Sequence, residues 1–235
     1  MNFNILYVFK DYGSPLHFDF ILEKTDIPRS TLYRQIKTLI NAGLIDYHGK
    51  GLYTPGWIVD DMSRVKEASE ESLVDKSISI MEEINNQTGE SVNLTIVKGS
   101  KVKVLAHLES NYNLKYSYQE GENLNIFKGA SSKILLAHLP KIHRNNLIST
   151  EFSEDEGIAL LDELELIREN GFAITKSEVD ENAIGISAPI LRGGKYLLAG
   201  ISIAGPVFRI DENKISHYTM LLKEAAFDIS LILDE

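Results

Sequence analysis

The strongest constraint on how this chain can fold lies between Asp26 and Gly43. Proline has no amide hydrogen and restricts the residue before it, so Asp26-Ile27-Pro28 closes any helix that precedes it. From residue 30 to about residue 42 apolar positions recur at helical spacing, and Gly43 supplies a natural C-terminal stop. Each helical residue advances by about 100°, which puts Leu32, Ile36, Leu39 and Ile40 on one side. Ser30, Arg34, Lys37, Thr38 and Asn41 point the other way. The apolar side needs partners, and two shorter amphipathic stretches precede it, residues 4–11 and 18–25, separated by Gly13-Ser14-Pro15. Residues 44–48 and 52–54 then alternate around Gly49-Lys50-Gly51, which is a hairpin signal. Three helices followed by a two-stranded hairpin are the order of a winged helix-turn-helix, expected over residues 1–56.

Charge separates this segment from the rest. The chain has 34 acids against 24 bases, a net charge of −10. That average is hostile to phosphate, because DNA binding depends on Lys and Arg displacing counterions. Residues 1–56 nevertheless carry +1, so −11 falls on the remainder, and residues 27–45 hold Arg29, Arg34 and Lys37 with no carboxylate at all. This asymmetry predicts two domains with different partners. The early residues of such a helix enter the major groove, where Arg bonds guanine and Ser or Thr more often hold the backbone. Arg29, Ser30, Thr31 and Arg34 are therefore the base and phosphate candidates, with Tyr33, Lys37 and Thr38 beside them. His48 and Lys50 on the wing are placed to reach adjacent phosphate or the minor groove. Taken singly, each is more simply a solvent-facing residue; their conjunction with the turn, the hairpin and the acid-free segment carries the DNA reading.

Beyond Gly56 the composition turns polar and helix-favouring. The expectation is a helical linker over residues 57–72, broken near residues 69–72, and a second domain over residues 73–235. Strands are expected at 91–98, 101–108 and 114–119, then a helix at 130–139. Ser153 and Glu156 form a capping-box pair opening another helix that Gly171 closes. Two more strands, at 184–190 and 196–204, precede a helix capped by Asp211, whose stripe is Ile215, Tyr218, Leu222, Ala225 and Ile229. The fold class is α+β in two domains. No apolar run approaches the roughly 20 residues a bilayer requires, and Met1 leads into no signal segment, so a cytoplasmic location without membrane contact is expected.

Enzyme signatures are missing from the sequence. With no cysteine there is no thiol nucleophile, thiolate zinc finger or disulfide framework. His138 and His143 are five apart with Pro140 between them, which spoils a one-turn metal pair. Glu154, Asp155 and Glu156 suit the first turn of a helix. No G-x-S-x-G, P-loop or H-E-x-x-H occurs. We expect no catalytic residue, no metal ligand and no cofactor. The rival readings are a small-molecule sensor whose winged helix binds protein and, less favoured, a hydrolase.

Ile27-Pro28-Arg29-Ser30-Thr31-Leu32-Tyr33-Arg34 and Leu39-Ile40-Asn41-Ala42-Gly43-Leu44-Ile45 closely resemble the helix-turn-helix segment of the isocitrate lyase regulator (IclR) family of transcription factors. Tyr53-Thr54-Pro55-Gly56, Gly129-Ala130-Ser131-Ser132-Lys133-Ile134-Leu135-Leu136-Ala137, Ser187-Ala188-Pro189-Ile190 and Gly200-Ile201-Ser202-Ile203-Ala204-Gly205-Pro206 with Arg209 continue the resemblance in the family order. It implies a winged helix-turn-helix joined by a helical linker to a GAF-like effector-binding domain, an antiparallel sheet flanked by helices. It also implies a homodimer or homotetramer on double-stranded operator DNA, with pseudo-palindromic half-sites about 34 Å apart, repressing or activating according to a bound metabolite. The effector pocket so implied comprises Leu124, Gly129, Ala130, Ser131, Thr175, Gly185 and Ser202. Gly129 to Ser132 also place free backbone donors at a helix start, where the dipole favours a carboxylate. Where acid-binding members of the family often carry Asp and Cys, this chain has Thr175 and Gly185, so a roomier and less polar pocket is expected, suited to an aromatic or larger acid.

Overall fold

The computed structural model describes residues 4–234, so Met1 and the reading placed on it lie outside the described residues. The chain divides into two compact units, Met1–Glu71 and Ser72–Glu235.

In the first unit, helices α1 (Asn4–Tyr12), α2 (Phe18–Thr25) and α3 (Arg29–Asn41) accompany strands β1 (Leu16–His17), β2 (Ile45–Tyr47) and β3 (Leu52–Pro55). The sheet runs β1-β3-β2, antiparallel throughout. β1 has no signal in the sequence, because two residues cannot show alternation. Ile5, Ile21, Leu32, Ile36, Leu39 and Ile45 form the core, while Ile40 is half-buried. Gly43 is required twice over. Its φ of 69° is left-handed, and a Cβ there would lie 2.6 Å from Nε1 of Trp57.

Helix α4 (Trp57–Thr88) is continuous over 32 residues, which corrects the break expected near residues 69–72. Ser69 and Ser72 lower helix propensity only slightly, and the segment contains neither proline nor glycine. Leu73, Met81 and Ile84 from its C-terminal part enter the core of the second unit.

That unit contains β4 (Ser91–Lys98), β5 (Lys101–Leu108), β6 (Asn123–Asn125), α5 (Ala130–His138), α6 (Lys141–Glu151), α7 (Glu154–Asn170), β7 (Ala173–Lys176), β8 (Ala183–Arg192), β9 (Tyr196–Pro206) and α8 (Glu212–Asp234). The sheet order is β6-β5-β4-β9-β8-β7, with every pair antiparallel. The strand expected at 114–119 is not one. Its alternating tyrosines serve a covering segment instead, held where Tyr116 donates its hydroxyl to the Glu181 carbonyl at 2.7 Å. The short β6 takes its place beside β5. α6 and β7 were not foreseen, the one because no apolar stripe marks it and the other because it has four residues.

The two faces of the sheet differ. Val92, Leu94, Ile96, Ile186, Ala188, Ile201 and Ile203 pack with the α8 stripe of Ile215, Tyr218, Leu222, Ala225 and Ile229. The alternate residues of the central strands are Ser91, Asn93 and Thr95, Gly185 and Ser187, and Gly200 and Ser202, all polar or small. Helix α5 packs against β8 and β9 over that face. α7 carries the expected capping box, with Ser153 N–H donating to Glu156 Oε2 at 3.1 Å. Fully buried Glu90 receives two bonds from Arg209, at 2.5 and 2.7 Å.

Candidate DNA-reading surface and effector cavity

Burial of Leu32, Ile36 and Leu39 fixes the rotation of α3 and turns its polar side to solvent. Ser30, Tyr33, Arg34, Lys37 and Thr38 are exposed and Thr31 is half-buried. Arg34 and Lys37 are exposed and have no side-chain partner among the described residues. Arg29 is held instead. Its Nη1 lies 3.1 Å from Asp19 Oδ1 and its guanidinium 5.1 Å from the Phe18 ring centre, an exposed tether of small energetic weight. Thr38 donates its hydroxyl to the Arg34 carbonyl at 3.0 Å and keeps only accepting capacity. On the wing, His48 Nε2 lies 2.8 Å from Thr54 Oγ1, and Lys50 is exposed in a left-handed turn.

Arg29, Ser30, Tyr33 and Lys50 gather around one open groove of about 860 Å³, whose other walls are His17, Phe18 and Asp19 at the start of α2 and Gly51 and Tyr53 of the wing. Arg34, Lys37, Thr38 and His48 lie outside it. His17 and Asp19 escaped the sequence reading because their place depends on β1. His17 caps α2 by accepting the Asp19 N–H at Nδ1, 3.3 Å away, and the glycine at position 51 leaves room for its ring.

In the second unit a cavity of about 60 Å³ opens at the start of α5. Of the residues proposed for the effector pocket, Leu124, Gly129, Ala130, Ser131, Thr175 and Gly185 line it. Ser202 does not, but it receives the Ser131 hydroxyl at 2.8 Å from the strand beneath. Tyr116, Ser117, Tyr118, Glu178, Val179 and Asp180 also line it and were missed, since they come from two irregular connections with no pattern of their own. Position 185 bears on the size of the cavity and Glu178 on its polarity. A Cβ at residue 185 would lie 3.3 Å from that of Ala130, so α5 has closed onto the glycine, and Glu178 faces the same space.

Glu178 also bears on the electrostatics. Its Oε2 accepts the Gly129 N–H at 3.1 Å and its Oε1 holds Lys133 Nζ at 2.6 Å, which Glu163 also reaches at 2.7 Å. Burial works to lower the Lys133 pKa, but the bonds to the two carboxylates raise it overall, so the ammonium stays charged. Gly129 is thereby capped, while the N–H groups of Ala130 and Ser131 have no backbone partner within the helix. No cluster of acids and histidines among the described residues could hold a metal ion, and no helix among them is long and apolar enough to cross a membrane.

A winged helix-turn-helix preceding an antiparallel sheet with a helix-start cavity defines a two-domain transcriptional regulator. Residues 3–49 match the model of the IclR helix-turn-helix domain, and residues 65–231 match that of the bacterial transcriptional regulator IclR C-terminal domain. The chain belongs to the IclR family of transcriptional regulators. It is 25% identical to the HTH-type transcriptional regulator KipR of Bacillus subtilis over 219 residues, 89% of this chain and 86% of that protein. Among solved structures, an IclR-family regulator from a Rhodococcus species aligns with a TM-score of 0.65 at 25% identity, covering 97% of this chain and 90% of that one. An IclR homologue from Microbacterium hydrocarbonoxydans, solved with 4-hydroxybenzoate, aligns with a TM-score of 0.64 at 20% identity over 97% of this chain and 95% of that one. The relatives are named as regulators, not enzymes.

Proposed function

We propose that the chain binds a pseudo-palindromic operator as a homodimer or homotetramer in the cytoplasm, and that a small carboxylate-bearing metabolite in the α5 cavity alters its affinity for DNA. Arg29, Ser30, Thr31, Tyr33, Arg34, Lys37 and Thr38 of α3, with His48 and Lys50 of the wing, contact the duplex. The domains are those of the sequence reading: a DNA-binding domain over 1–56, a linker over 57–72, and an effector and oligomerisation domain over 73–235. The observation that carries the effector reading is the cavity at the start of α5, where Ala130 and Ser131 keep open N–H groups at the positive end of a helix. The Microbacterium homologue, solved in complex with 4-hydroxybenzoate, supports a carboxylate-bearing ligand.

Thermal-shift screening of short and aromatic carboxylic acids tests the reading. A true effector present at about 100 times its dissociation constant raises stability by about 2.7 kcal/mol, a shift of several degrees. Gly185→Val places two methyl groups where the cavity touches Ala130 and Thr175. We expect it to abolish that shift and make DNA binding indifferent to the acid, while overpacking costs about 1–3 kcal/mol of stability. A Gly185→Val variant that still responds fully to the acid would move the ligand elsewhere.

A further inference from the structure

On the sheet face that α5 covers, Asn93 of β4 pairs with His107 of β5 on one side and with Ser202 of β9 on the other. His107 reaches this face because β5 carries an extra residue. Leu94 opposes Ala106 and Thr95 opposes Val104, which leaves Leu105 unmatched, and a bulge of this kind re-aims the side chains beyond it. His107 Nδ1 lies 2.7 Å from Asn93 Oδ1, and its Nε2 lies 3.0 Å from Ser117 Oγ.

The directions of these bonds follow from counting hydrogens. Burial pushes the His107 pKa down, so the ring is neutral at pH 7 and carries one N–H. With that hydrogen on Nδ1 and given to Asn93, Nε2 accepts the hydroxyl hydrogen of Ser117. The other tautomer, with the hydrogen on Nε2, would set a bare Nδ1 against Asn93 Oδ1, two acceptors 2.7 Å apart, and does not fit an amide oxygen facing the ring. The hydrogen of Ser117 is therefore spent on the ring, and the residue offers the cavity it lines only a lone pair. Tyr116, beside it on the same wall, has likewise spent its hydroxyl hydrogen on Glu181. The buried Nδ2 of Asn93 has no partner among the described residues, and Asn93 is not part of the cavity lining.

We propose that the cavity selects a hydroxy acid, with the ligand carboxylate on the open N–H groups of Ala130 and Ser131 and its hydroxyl donating to Ser117 Oγ. Ser117 determines specificity, and His107, backed by Asn93, positions it. The inference rests on the carboxylate reading above and adds the second functional group.

Calorimetric titration of the full chain with matched acids tests this: lactate, alanine and propionate, 3-hydroxybutyrate and butyrate, and 4-hydroxybenzoate and benzoate. In the set that binds most tightly, the hydroxy acid should exceed its deoxy partner by about tenfold. Ser117→Ala should shrink that ratio to within about twofold. His107→Phe should shrink the same ratio, which a merely structural role would not move. Equal affinities within every set, a tighter amino acid, or a hydroxyl preference that survives Ser117→Ala would overturn the inference and leave the carboxylate reading standing. If no acid of either kind binds, both fall.

Discussion

Arg34→Ala should lose operator binding almost completely while its melting temperature and its response to a bound acid stay as in the parent protein. Arg34 is exposed on the outward side of α3 and has no side-chain partner among the described residues, so truncating it removes nothing that holds the fold. A bidentate Arg–guanine contact contributes about 1–3 kcal/mol to discrimination, and two recognition helices on one operator double the loss, which lowers affinity by about 30-fold or more. Arg29→Ala should weaken binding less, because Arg29 already shares its charge with Asp19 at 3.1 Å. Electrophoretic mobility shift on the same duplex ranks the two. If Arg34→Ala bound like the parent, α3 would not be the reading helix.

Arg209→Met should destabilise the second unit by about 3–5 kcal/mol, the usual cost of removing one partner from a buried ion pair. Glu90 is 1% exposed at its side chain and receives Nε and Nη2 of Arg209, whose guanidinium also sits 4.2 Å from the Tyr112 ring centre. Without the arginine the Glu90 carboxylate is left in the interior with no countercharge. Urea denaturation followed by circular dichroism measures the loss, and the double variant Glu90→Leu with Arg209→Met should recover much of it, since replacing both charges removes the desolvation cost as well. A loss below about 1 kcal/mol for Arg209→Met alone would show that the pair is better solvated than its burial implies.

What could be read from the sequence was whatever local chemistry dictates. Pro28, Gly43 and the period of Leu32, Ile36 and Leu39 define α3 and its outward side without tertiary information, and Ser153, Glu156 and Gly171 bracket α7 in the same way. The strand expected at 114–119 failed because alternating tyrosines suit a covering segment as well as a strand; the choice was made by the distant Glu181 carbonyl. The break expected in α4 failed because serines were given the weight of a glycine or proline. The site followed the same division. Leu124, Ala130, Ser131, Thr175 and Gly185 sit on or beside regular elements that the family resemblance could place. Ser117 and Glu178 lie in irregular connections, and His107 faces α5 only because Leu105 bulges out of register. No periodicity announces such residues.

A regulator of this design must engage duplex DNA through a small cationic surface on an otherwise acidic chain. Duplexes selected by the full chain from a random library, titrated between 50 and 200 mM salt, give the answer. Two protomers contacting about 6–10 phosphates through Arg34, Lys37, Lys50 and their neighbours predict that affinity for the selected duplex falls by about 10³–10⁵ over that range. A library from which no sequence is enriched, or an affinity that does not change with salt, would contradict the regulator reading of α3 and its wing.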